Sequence, residues 1–310
     1  MRKLIVVMLA VLLPSATEGA KQFAKVGTFG GSFLKIGIGA RAAALADAYV
    51  AIADDASAIY WNPAGIARLT GRTLSVNHLA LPADIAFDQA AYVFSPGFFP
   101  GVIGFNARAL TMDQMERRTV YHPEGDGTYF DAGDMAFGVT YARSLTDKFS
   151  TGINLNWIQS GLDEYTAKTQ TFDVGTLYDT GFRSIRIGMC IQNIGSELKH
   201  FERAARVPTT FRVGMSMNLM RNDVHSLLTS GEFSHPPDNQ ERASWAMEYS
   251  FNDYLYFRSG YKFNYDTEGF AAGTGVRFPT GAQAIAKVDY AYNDWGTLGG
   301  THRVSLELTF

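Results

Sequence analysis

The chain has 310 residues, a formal net charge of −3, 46% hydrophobic and 13% aromatic residues, 31 Gly and one Cys. The slightly acidic balance offers no basic surface for nucleic acid, and the lone Cys190 excludes a disulfide framework within the chain. After the first few residues no stretch approaches the roughly eighteen apolar residues of a helical membrane span.

Residues 1–20 have the layout of a secretory signal peptide: Arg2-Lys3, an apolar run from Leu4 to Leu13, a break at Pro14, then small residues at Ala16, Gly19 and Ala20. The apolar run is too short to cross a bilayer. Cleavage is expected near Gly19 or Ala20, so the mature chain is exported and is either periplasmic, extracellular or a membrane barrel.

Residues 21–70 neither alternate nor read as disordered. Ala40 to Ile52 is Ala-rich, Asp54-Asp55 is placed to cap a short helix running to Tyr60, and Asn62-Pro63 pairs a cap acceptor with Pro at the first helical position. About fifty residues of compact, small-residue chain suggest a hatch or plug that folds into a lumen. Gly37-Ile38-Gly39-Ala40-Arg41-Ala42 formally satisfies a dinucleotide-binding pattern, but no strand-helix alternation follows it, and flexible plug backbone is the better reading.

From residue 71 onward the period is two, and every second residue sorts onto one of two faces. Segments 73–81, 88–95 and 101–110 read as strands. Met135, Phe137, Val139 and Tyr141, then Ile153, Leu155 and Trp157, then Phe172, Val174 and Tyr178 mark three more. Segment 184–192 opposes Ile185, Ile187, Met189 and Ile191 to Arg186, Gly188, Cys190 and Gln192; segment 211–219 opposes Phe211, Val213, Met215, Met217 and Leu219 to Arg212, Gly214, Ser216 and Asn218. Segment 225–233 is a ninth strand. The last five strands lie at 242–251, 254–263, 269–278, 284–292 and 301–310. Their apolar faces carry residues such as Trp245, Phe257, Tyr261, Val288 and Leu306 and no charge. Their other faces carry Gly, Ser and the charges Glu248, Arg258, Lys262, Arg277, Lys287, Asp289 and Glu307.

A soluble sandwich alternates too, but its packed core would not tolerate so many charges. Strands of about nine to eleven residues with an aromatic-rich face fit lipid outside and a polar lumen. The expectation is an all-β transmembrane barrel of fourteen antiparallel strands over 71–310, with a periplasmic N-terminus. Gaps at 95–101, 144–149, 179–184, 220–224, 252–253 and 279–283 are short. Those at 112–134, 159–171, 193–208, 234–241 and 293–301 are longer, as outer loops are. Asp126, Asp131 and Asp134 lack EF-hand spacing, the six His give no zinc motif, and no nucleophile elbow is visible. No metal, cofactor or enzymatic activity is expected.

Two stretches resemble a known family. Phe33 to Ala42 (FLKIGIGARA) and Ala53 to Gly65 (ADDASAIYWNPAG) look like the opening signature of the PorV/PorQ family, within the FadL-like fatty-acid-transporter barrels. The ending also fits, with Val288 to Tyr292 (VDYAY), Gly296 to Leu306 (GTLGGTHRVSL) and terminal Phe310. The resemblance implies a fourteen-stranded outer-membrane barrel of a Gram-negative-type bacterium. It implies a hatch that includes Asn62, Pro63, Ala64 and Gly65, and a Phe310 strand that addresses the chain to the barrel-assembly machinery. Leu45-Ala46 departs from the pattern, where Met-Gly is expected. Three functions follow by analogy: uptake of hydrophobic small molecules past a hatch that moves, a type IX secretion accessory gripping cargo at the outer face alongside the translocon, or a structural or assembly barrel without transport. The lumen charges would hold wall and hatch together or line a path.

Overall fold

A computed structural model describes residues 27–97, 99–281 and 284–310; the expected signal peptide lies outside them. Fourteen antiparallel strands close into one barrel. In chain order they are β1 Arg72–Leu81, β2 Ile85–Phe94, β3 Val102–Thr111, β4 Ala132–Ser144, β5 Phe149–Leu162, β6 Tyr165–Asp179, β7 Arg186–Gly195, β8 Thr210–Arg221, β9 His225–His235, β10 Arg242–Phe251, β11 Leu255–Phe263, β12 Phe270–Pro279, β13 Ile285–Asp294 and β14 Gly300–Thr309. Every strand pairs with its sequence neighbours, and β14 closes on β1 with Val76 opposite Leu306. Beyond the last strand, Arg72 and Phe310 exchange backbone hydrogen bonds of 2.9 Å, so both ends of the barrel sequence are tied at one rim. Closure leaves no unpaired strand edge, the condition for a sheet to sit in hydrocarbon.

The two faces are as the alternation requires. Phe137, Trp157, Phe257, Tyr261, Val288 and Leu306 point outward and are exposed, whereas Asn156, Ser230, Glu248, Arg258 and Asp289 point inward and are buried. In water such an outward apolar surface would drive aggregation; against lipid it is the stabilising surface. No helix among the described residues is long and apolar enough to cross a membrane.

Strand ends depart from expectation in one region. The segment 159–171, read as an outer loop, is a β-hairpin: β5 and β6 continue in register from Trp157 opposite Gln170 to Leu162 opposite Tyr165, with Asp163 turning at φ 56°. With β4 they rise above the rest of the wall. The loops at 112–131 and 196–209 stand over the same rim and carry small hairpins, Met115–Glu116 with Tyr129–Phe130 and Leu198–His200 with Arg203–Ala205. Long connections mark this rim as the extracellular one, although the β1–β2 turn at 82–84 is short.

Inside the barrel lies the N-terminal segment. It comprises a 3-10 turn at Ser32–Lys35, helix α1 at Ala40–Ala44, helix α2 at Ala58–Trp61 and a 3-10 helix at Pro63–Arg68. Helix α1 packs against β11 to β14, and the Pro63–Arg68 turn against β3 to β6. Its Tyr and Trp side chains and all its Ala and Leu side chains except Ala67 and Leu69 are almost completely buried. The molecule's core is therefore the interface between this segment and the inner wall.

Candidate functional site in the barrel lumen

The local sequence explains how the segment folds back on itself. Asn62 takes an extended backbone and accepts a hydrogen bond from Ala64 N at 3.2 Å, with Pro63 at the first turn position. Pro has no N–H to satisfy there and a φ already set for the turn. Asp55 accepts from Ser57 N at 3.0 Å and Ser57 Oγ at 2.5 Å, ordering the entry to α2. Trp61 Nε1 donates to Ile38 O at 2.8 Å, clasping the two halves of the segment together.

Four polar clusters fasten the segment to the wall. In the first, Arg41 makes a bidentate pair with Glu248 at 2.9 and 3.0 Å and also donates to Asp54 at 2.6 Å and Tyr49 OH at 3.1 Å. Glu248 accepts from Arg258 at 2.6 Å, and Arg258 donates onward to Asp289 at 2.5 Å. In the second, Glu232 accepts from the backbone N–H groups of Tyr49 and Val50 at 2.9 and 2.8 Å and from Arg212 at 2.7 Å, while the Arg212 guanidinium stacks 4.9 Å over Trp61. In the third, Lys262 reaches Asp47 at 2.5 Å and also Glu268. In the fourth, Glu307 pairs with Lys287 at 3.6 Å and accepts from Ala56 N at 3.0 Å. Arg303 adds a bond to Gly37 O at 2.5 Å and Ser305 one from Ala40 N at 2.7 Å.

The buried carboxyls of the segment stay ionised because cations face them. Burial alone would raise the Asp47 carboxyl, but Lys262 and Arg303 more than offset it and hold it below the usual carboxylate range. Burial opposes ionisation of Asp55 in the same way, and Arg41 and Lys287 win there.

Asn62 is the pivot on the opposite wall, its Nδ2 donating to Val50 O at 2.9 Å and Thr176 O at 3.0 Å. The wall offers glycine where the backbone of this motif comes closest: a Cβ at position 152 would lie 2.5 Å from the Pro63 carbonyl carbon, and one at 175 would lie 2.8 Å from Pro63 Cδ. Ala64 and Gly65 are fully enclosed behind it.

Six of the seven wall charges named from sequence, Glu248, Arg258, Lys262, Lys287, Asp289 and Glu307, thus meet the segment or one another. Arg277 forms no ion pair among the described residues. Phe310 exposes its ring at the periplasmic rim. Sequence reading missed Arg41, Asp47, Asp55 and Glu232 as partners. Glu232 falls on the inward parity of β9, which alternation could have flagged; the three on the segment carry no periodic signal. The stretch Gly37 to Ala42 lies against Arg303 and Ser305, and the cavity that Gly37 to Ala40 line there holds only about 10 Å³, too little for a phosphate. Asp126 accepts from Thr128 within its own loop, and no group of metal-ligating side chains is assembled among the described residues.

Solved structures of similar shape include a hydrocarbon channel and a toluene transporter. CymD, a monoaromatic hydrocarbon channel, superposes with a TM-score of 0.61 at 12% identity, over 88% of this chain and 98% of its own. The toluene transporter TbuX of Ralstonia pickettii gives 0.60 at 14%, over 88% and 97%. A FadL homologue of Pseudomonas aeruginosa gives 0.55 at 12%, over 89% and 98%. At such identities the likeness establishes the fold alone. No curated protein matches the chain. Residues 19–236, however, match the family described as type IX secretion system protein PorV. With that match covering most of the chain and a closed fourteen-strand FadL-like barrel around it, the protein belongs to the PorV family of outer-membrane β-barrels.

Proposed function

We propose that the protein is a closed outer-membrane barrel that works at its extracellular face, as an accessory that holds exported proteins at the type IX secretion machinery. The observation that carries this reading is the lumen: the N-terminal segment fills it and is fastened by buried, bidentate and charge-assisted contacts from β8 to β14. Each such contact is worth more than a neutral hydrogen bond, so together they make a filled barrel the resting state. What remains free to act is the tall rim of β4 to β6, where Val120, Tyr121, Tyr129, Tyr165 and Phe201 stand exposed above the membrane. Family membership supports the same reading. The test is deletion of the gene in its native host, followed by quantification of surface and secreted proteins. Loss of a set of exported proteins, restored by the gene in trans, is expected; unchanged secretion overturns the reading.

A second reading, gated uptake of small apolar molecules with the segment as hatch, draws support from the other half of the lumen. There Leu79, Phe87, Val93, Val102 and Ile158 turn inward and pack with Ile59 and Ile66 instead of forming ion pairs. Uptake of a radiolabelled hydrocarbon that falls in the deletion strain while secretion is unchanged would favour it.

A further inference from the structure

At the extracellular mouth, above the N-terminal segment, a cavity of about 230 Å³ opens between the ends of β3, β4 and β5. Leu110, Met112 and Leu162 give it apolar walls. Asp134 and Ser160, paired across β4 and β5, lie on the inner face and line it side by side. His200, on the small hairpin of the 196–209 loop, closes the other side. Its Nε2 is buried and has no hydrogen-bond partner, a condition that is destabilising until a partner is supplied. No side chain forms an ion pair with Asp134 among the described residues.

We infer that this cavity is a binding site for a small amphipathic molecule with a primary ammonium head and a short apolar body. Three groups that can accept a hydrogen bond line it: the Asp134 carboxylate, Ser160 Oγ and, with the imidazole proton on Nδ1, His200 Nε2. A primary ammonium brings three N–H donors and the charge that Asp134 lacks in a partner. A carboxylate head meets the Asp134 charge instead and is repelled, so the site discriminates against fatty-acid anions. The cavity is smaller than the roughly 300–1,000 Å³ of a drug-sized pocket, which limits the body to a few carbons against Leu110, Met112 and Leu162. Occupancy of the cavity is compatible with a barrel that serves secretion and with one that serves uptake.

The test is calorimetric titration of the full mature barrel in lipid nanodiscs with hexylammonium, hexanol and hexanoate, with empty nanodiscs subtracted. Hexylammonium is expected to bind at least about tenfold more tightly than hexanoate, the difference expected of a charge-assisted contact. Asp134→Asn is nearly isosteric and is expected to abolish that preference while leaving hexanol binding unchanged. Leu110→Trp fills the cavity and is expected to remove binding of all three, with barrel melting as the check that the fold is intact. Equal binding of the three probes, a preference that survives Asp134→Asn, or no binding above empty nanodiscs overturns the assignment.

Discussion

Arg41 occupies the place where the most contacts meet. It is buried, satisfies both oxygens of Glu248 and reaches Asp54 on the segment itself. Removing one partner of a buried charge cluster costs about 3–5 kcal/mol because the remaining charges lose compensation. Arg41→Met is therefore expected to loosen the N-terminal segment while the strands stay paired. Limited proteolysis should then cut within residues 27–70, where the parent resists. Ala46 makes a smaller, opposite case. It sits at φ 50°, followed by Asp47 at φ 62°, in a region that costs a residue with a Cβ about 1–2 kcal/mol. Resemblance to the family led to Gly at this position, and the wall compensates for Ala by placing Gly260 opposite, where a Cβ would come within 2.8 Å of Ala46 Cβ. Ala46→Gly is expected to raise the melting temperature slightly and Gly260→Val to lower it, both read by thermal denaturation.

The N-terminal segment behaves as one element because its short helices have too few turns to be stable alone. Its order comes from the wall. Asp47 and Asp55 are held below the usual carboxylate range in the folded state, so their contribution is complete above an unfolded value of about 3.9 and fades as the pH falls through the depressed folded values. The share of the segment's protease resistance that Asp47 and Asp55 supply should accordingly stay constant from neutral pH to about pH 4 and decline below it. Resistance lost already near pH 6 would assign the fastening to other groups. The β5–β6 hairpin is a second element of independent character. Its continuation past Trp157 runs above the hydrocarbon, where Gln159, Lys168 and Gln170 take the outward places that Ile153, Leu155 and Phe172 hold lower down.

The whole molecule is two nested bodies that complete each other. Without residues 27–70 the inner wall would present Arg212, Arg258, Lys262 and Arg303 together with Glu232, Glu248 and Asp289 to water. Water can solvate these groups, and the closed ladder does not depend on the segment, so the shortened chain is expected to fold into a barrel with a lower melting temperature. In planar bilayers it should conduct, with little preference between cations and anions because both signs line the wall, whereas the complete chain should be silent. A silent shortened barrel would mean that the wall side chains alone close the lumen.

The sequence by itself determined the number of strands, their inward and outward faces and the presence of a capped, non-alternating segment before them. Those properties are local: a period of two, a Pro after a cap residue and an aromatic face in contact with lipid are written within ten residues of one another. Only the tertiary structure decided where β5 and β6 end, because above the membrane the outward places are taken by polar residues such as Gln159, Lys168 and Gln170, and the apolar-polar alternation that marks a lipid-facing strand disappears. It alone decided which charges pair, since Arg41 and Glu248 stand 207 positions apart and their meeting depends on the closure of fourteen strands around a segment with no periodicity of its own.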